Sequence, residues 1–244
     1  MAIFAAMKKV TTMMTSDLNT IADEIRADFT EKNDARDKAI SLSRELIRYC
    51  SQTIRAIHRR EWDQADEQMS QVDDKSAELR AIVLPYPELY HTGYTQDAFK
   101  EVVEAHATYA IIKDVPLPTP RALQAESATY LKGLGEAATE LRRFILDILR
   151  RPDGDLQEAE RLLTWMDDVY DQLVTFDFPD ALTYGLRRQT DIVRGVLERT
   201  RGDMTHSIRQ QRMQEALARF AKHLGEDWDG SSVIADSDSD DEAE

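Results

Sequence analysis

The chain has 244 residues, of which 42% are hydrophobic and 32% charged, enough for one domain, or at most two, with a sizeable buried core. Its formal net charge of -15, with Asp over Glu by 27 to 19 and Arg over Lys by 22 to 9, argues against a simple electrostatic nucleic-acid binder. The lone Cys50 rules out an intramolecular disulfide and any cysteine-based zinc site.

With only 9 Gly and 7 Pro, and no run of alternating β-branched residues, the long stretches carry helical periodicity and predict an all-α chain. Residues 1–15 read as a flexible extension. Ser16 is placed to cap a long helix reaching about Arg60, with Ala39, Ile40, Leu46, Ile47, Tyr49, Ile54 and Ile57 on its apolar side. A second helix, from Glu61 to Leu84, is stitched by Ala65, Met69, Val72, Leu79 and Ile82 and stopped by Pro85 and Pro87. After a loop through Tyr94, Thr95 is expected to cap a helix to about Lys113. The segment Val115-Pro-Leu-Pro-Thr-Pro120 cannot be helical.

Further helices are expected over roughly 125–150, 156–174, 181–201 and 205–222, which gives a helical domain over 16–224. Residues 225–244, ending in a run of Asp, Ser and Glu, form an acidic tail with too little apolar surface to fold. No apolar run approaches the roughly 20 residues that span a bilayer, and the two lysines follow the short N-terminal apolar stretch, the wrong order for a signal peptide. The expectation is a cytoplasmic protein with no membrane partner, its acid-rich surface suited to a salt-rich cytosol.

Two pairs of glutamates carry most of the chemistry. Glu101 and Glu104 lie three residues apart, and Glu136 and Glu140 four apart, so each pair shares one helix face. The first pair sits in a segment, 98–112, that is apolar nearly all round and therefore expected to be buried. Buried carboxylates need compensation, and a hard divalent cation such as Mg²⁺ or Mn²⁺ supplies it for four together. Gly133 and Gly135, each costing a helix up to ~1 kcal/mol against alanine, suggest a close backbone approach beside Glu136. The plainer alternative is a solvated charged face running through Lys132, Glu136, Glu140, Arg143 and Asp147, with Glu101 and Glu104 merely pairing with neighbouring arginines.

Arg44, Arg48, Arg55 and Arg59 recur at spacings of four, seven and four on the first long helix, with His58 beside the end of the row. Arginine suits bidentate phosphate contacts, while salt bridges to Glu45 and to acids on neighbouring helices are the alternative. Glu88 and His91 have the spacing of di-iron bundles, but Pro87 and Gly93 place them in a loop and no second copy exists.

The stretch from Lys38 to Arg59, with its Ser43-Arg44 and terminal His58-Arg59, resembles the first core helix of the translin/TRAX family. Phe176-Asp-Phe-Pro-Asp-Ala-Leu-Thr-Tyr-Gly-Leu-Arg-Arg-Gln-Thr-Asp191, continuing to Asp203, resembles that family's C-terminal signature. The resemblance covers about residues 30–205. It implies an all-α bundle of about seven helices that assembles into a hollow oligomeric barrel, an octamer, holding RNA or single-stranded DNA inside.

The TRAX branch implies a Mg²⁺-dependent endoribonuclease, and translin proper implies binding without cleavage. The branch's Glu-x-x-Glu falls on Glu101 and Glu104, and its Asp and following Glu fall on Glu136 and Glu140 after Tyr130-Leu131. Glu136 departs from the family's Asp by one methylene. Filled acidic positions favour the nuclease branch, acting on single-stranded or open RNA with the arginine row on phosphates. A non-catalytic binding barrel for single-stranded RNA or DNA, and a hetero-oligomer with a second family member, are the competing expectations.

Overall fold

A computed structural model of the chain describes residues 2–151 and 154–224. Among these residues there are eight helical elements and no strand, in agreement with the all-α expectation. The elements are α1 (Ala2–Arg59), α2 (Trp62–Val83), α3 (Pro87–Tyr90), α4 (Gly93–Lys113), α5 (Ser127–Leu149), α6 (Leu156–Val174), α7 (Asp180–Thr183) and α8 (Leu186–Leu224).

The helices form because each carries an apolar stripe for a neighbour to cover. On α1, Ala39, Leu42, Leu46, Cys50, Ile54 and Ile57 recur at intervals of three and four and are buried. α2 answers with Ala65, Met69, Val72, Leu79 and Val83 and returns antiparallel along α1. α4 is buried on nearly every side, from Ala98 and Phe99 to Ile111 and Ile112, because it packs against α1, α2 and α5 together. α5 in turn carries α6 and α8 on its far side. The order through the bundle is α2, α1, α4, α5, then the α6/α8 pair.

The α4–α5 contact is made by a missing side chain. A Cβ at Gly133 would stand 2.6 Å from the Lys100 carbonyl oxygen and 2.7 Å from the Val103 Cβ, so only glycine lets the two backbones approach this far. Arg161 Nη1 donates to the Ile111 carbonyl at 2.8 Å, and the Asp155 carboxylate caps α6 by accepting from the Gln157 and Glu158 amides. The proline-rich 115–119 is irregular, as expected, with the Tyr130 hydroxyl donating to the Pro118 carbonyl at 2.8 Å.

Four boundary expectations change. α1 begins at Ala2, so residues 2–15 belong to the helix and Ser16 lies inside it rather than capping it. Thr95 is not a cap either: α4 starts at Gly93, and the buried Thr95 hydroxyl donates to the Leu89 carbonyl at 2.9 Å. The two expected C-terminal helices are one, α8, which passes through Gly202 because Met204 is buried and Asp203 pairs with Arg142 at 2.8 Å. The chain break expected at 176–180 extends through Tyr184 and Gly185, both left-handed (φ 46° and 83°), with α7 as a single turn between. The acidic 225–244 segment lies outside the described residues.

Gly133→Ala is expected to cost about 1–3 kcal/mol by overpacking, outweighing the roughly 1 kcal/mol that alanine gains in helix propensity. Gly195→Ala, whose Cβ would meet nothing within 4 Å, is the control and should stabilise. Urea denaturation of the two variants against the parent checks the contrast in sign.

Candidate functional site

Because Gly133 draws α5 onto α4, the acidic faces of the two helices meet. One carboxylate oxygen each from Glu101, Glu104 and Glu136 lies within 4.8 Å of the others. Glu136 departs from a solvated face, its side chain only 25% exposed, while Glu104 is buried and Glu101 24% exposed. Glu140, one turn further along α5, points instead to His58 of α1, whose Nε2 donates to its Oε2 at 2.8 Å.

The acids are compensated in three ways. Lys100, itself largely buried, reaches both Glu136 oxygens at 2.7 and 2.8 Å and Glu101 at 3.3 Å. Burial pulls its ammonium down, but the pairs with Glu136 and Glu101 outweigh that and leave its pKa raised. Glu104 has no cation of its own. Burial, then the charges of Glu101, Glu136 and Glu140, push its carboxyl from 4.5 up to about 9, so it holds a proton at neutral pH. Burial also raises Glu136, against the pull of Lys100, whereas the hydrogen bond from His58 takes Glu140 below its ordinary value. His58 is fixed by stacking on Phe144, ring centres 4.0 Å apart, and its Nδ1 is buried without a partner.

The donor set fits a hard divalent cation. Three carboxylates converge where water is scarce, and the protein has to protonate one and salt-bridge another to tolerate them. Lys100 and His58 are the two members of the site that the glutamate spacing does not reveal. A lysine directly before Glu101, and a histidine ending the α1 row, are the only signals they leave in the sequence. Cys50 lies below the cluster, its thiol pushed well up by burial and by Glu101 and Glu104, and is inert there.

Arg44, Arg48, Arg55 and Arg59 are all exposed on α1. Arg48 stands 3.7 Å from Glu45 and Arg59 3.6 Å from Glu61, while Arg44 and Arg55 have no acid within ion-pairing distance among the described residues. Salt bridging therefore accounts for only part of the row. The row runs along the face of α1 opposite its buried stripe of Ala39, Leu46, Cys50 and Ile57. Arg194 and Arg201 of α8, by contrast, are paired to Glu198 and Asp167. Glu88 lies on the single-turn α3 rather than in the expected loop, pairs with Lys32 at 3.3 Å and takes no part in the site. A surface cavity of about 1090 Å³ lies between α6 and α8 and is lined by none of the four glutamates.

No protein-family model matches the chain. An uncharacterized protein of Methanocaldococcus jannaschii is 32% identical over 198 residues, 80% of this chain and 86% of that one. The crystal structure of AfC3PO is similar at a TM-score of 0.69 and 32% identity, over 76% of this chain and 95% of that one. An AfC3PO–duplex RNA complex aligns at a TM-score of 0.64 with the same identity and coverage. The crystal structure of apo-NeC3PO has a TM-score of 0.69 at 19% identity, over 76% and 96%, and shares the fold.

Glu104 loses its proton near 4.5 when unfolded but keeps it to about pH 9 when folded. The folded chain thus binds the extra proton across that window, and stability falls as pH rises through it. With EDTA present, the urea midpoint is expected to decline between pH 5 and pH 9. Glu104→Gln should flatten that decline, and an unchanged slope in the variant would refute the assignment.

Proposed function

The chain belongs to the translin/TRAX family, and from that premise we propose that it binds RNA and cleaves it as a Mg²⁺-dependent endoribonuclease within an oligomeric barrel. The observation that carries this reading is the convergence of one carboxylate oxygen each from Glu101, Glu104 and Glu136 within 4.8 Å, in a chain that also carries an exposed arginine row on α1. Glu101, Glu104 and Glu136 would hold the cation, Mg²⁺ or Mn²⁺, with Glu140 as the fourth acid. Such a cation would supply Lewis-acid activation of a water and charge compensation at the scissile phosphate.

The chain's own groups prepare that site. Gly133 sets the distance between the two acidic helices. His58 holds Glu140 ionised and oriented, and Phe144 fixes the imidazole plane. Lys100 keeps Glu101 and Glu136 from repelling each other apart, so the acids stay assembled for a ligand. Arg44, Arg48, Arg55 and Arg59 would contact phosphates with little base reading, which makes affinity fall with salt.

RNA as the partner is supported by the AfC3PO complex, which holds a duplex. The preference for single-stranded or open RNA is part of this proposal, as are a single-stranded DNA ligand and an octamer formed from one chain or with a second family member. A cytoplasmic setting also belongs to the proposal; no helix among the described residues is long and apolar enough to cross a membrane.

One observation favours a second reading, a barrel that binds without cutting. Lys100 already neutralises Glu136 and Glu101 from inside the chain, and Glu136 is a methylene longer than the family's Asp. The deciding experiment incubates labelled RNA, single-stranded and duplex, with the protein in Mg²⁺ or EDTA, beside Glu101→Ala/Glu104→Ala. Metal-dependent cleavage that disappears in the variant is expected; intact RNA shifted equally by both proteins would select the binding barrel.

Lys100 and the cation compete for the same oxygens on this reading. Lys100→Met should therefore tighten Mn²⁺ binding at least several-fold by calorimetry, without RNA present. Unchanged affinity would mean that the metal sits away from Glu136.

A further inference from the structure

Both ends of the chain carry apolar stripes that nothing in the described residues covers. On α1, Leu18, Ile21, Ile25 and Phe29 are 50–65% exposed and lie on one face at intervals of three and four. On α8, Met213, Leu217 and Phe220 are 42–62% exposed and repeat the pattern. Single large apolar side chains are exposed elsewhere too, such as Leu84 and Phe178, but a stripe repeating at helical intervals marks an interaction surface.

The two stripes sit on arms that leave the body at opposite ends. Ala56 and Ile57, at the end of α1, share a core cluster with Leu197 and Met204 of α8, and Ile208 packs on it. The other end of the body is closed by Ala39 with Val83 and Leu89, where α1 enters. The axes nevertheless point the same way. α4 follows α1 from one core cluster to the other, α5 follows α4 through Gln96–Thr129 and Lys100–Glu136, and α8 follows α5 through Gly135–Gln189 and Arg142–Thr200.

The arms differ in charge. Residues 17–31 hold five acids against one base, and residues 209–222 hold four bases against one acid, in a chain whose net charge is -15. The placement is also matched: Asp17 and Glu24 directly precede the stripe residues Leu18 and Ile25, and Arg212 and Arg219 directly precede Met213 and Phe220. Both charged pairs are spaced by seven, so each runs along the same side of its stripe. When two helices pack along such stripes, flanks of the same side meet only if the helices run antiparallel.

We propose that a second copy of this chain docks by reciprocal arm pairing, the acidic α1 arm of each protomer lying antiparallel along the basic α8 arm of the other. Parallel arms at opposite ends of one chain become antiparallel neighbours under a two-fold axis across the body, so one operation forms both pairs. The surfaces go beyond the self-assembly named above, and they rest on nothing about metal or cleavage.

The test is sedimentation velocity at low salt on the full chain, on Asp17→Arg/Glu24→Arg, on Arg212→Glu/Arg219→Glu and on their equimolar mixture. These side chains are exposed on helices, so far-UV circular dichroism should stay unchanged. Each variant alone places like charges in both arm pairs, and its half-dissociation concentration is expected to rise at least tenfold. The mixture restores opposite charges in both pairs and should return to the parent's value. A parent that sediments as a single 27.9 kDa chain would overturn the proposal. So would a mixture that stays dissociated, or a first variant that keeps the parent's mass, as expected if the chain's own acidic 225–244 covers the α8 arginines. The readout is mass, so loss of RNA cleavage leaves it untouched.

Discussion

The approach of α5 to α4 at Gly133 is the contact on which the site depends. A Cβ there would collide with the Lys100 carbonyl oxygen at 2.6 Å, and the two helices would have to shift apart. That displacement would separate Glu136 from Glu101 and Glu104, which now meet within 4.8 Å. Packing and electrostatics are thus coupled at one residue: the glycine that lets two backbones touch also forces three carboxylates together.

The acids survive that crowding because three different devices relieve them. A lysine serves Glu136 and Glu101, a proton serves Glu104, and an imidazole serves Glu140. An isolated buried carboxylate would cost several kcal/mol, so a cluster held this way is poised rather than relaxed. A divalent cation would replace both the lysine and the proton, which links metal loading to pH and to the position of one side chain. His58 differs from Lys100 in this respect. It is locked by Phe144 and supports Glu140 whether or not a metal is present.

The strong negative charge of the chain conceals local order. The α1 arginine row and the basic end of α8 are one-sided features within an acid-rich surface. Each sits where net charge alone would not place a binding face for an anionic or acidic partner. The same long helix, α1, carries the acidic apolar arm, the basic row and His58 in succession along its length. On the proposed reading, assembly, phosphate contact and support of the acids would all fall on one rigid element.

The sequence by itself determined the helical class, the main helix positions and the pairing of acids on each of two faces, because these follow from periodicity within one element. It also marked Gly133 as a close approach, since a helix keeps a glycine at a cost. It misread Ser16 and Thr95 as caps and Gly202 as a break, because local preference yields to burial of neighbours such as Met204 and to an anchor such as Leu89. Only the tertiary structure decided that Glu136 joins Glu101 and Glu104 while Glu140 turns to His58, and that Lys100 occupies the gap. Those outcomes depend on the rotation and spacing of three helices against one another, and no single helix's pattern contains that information.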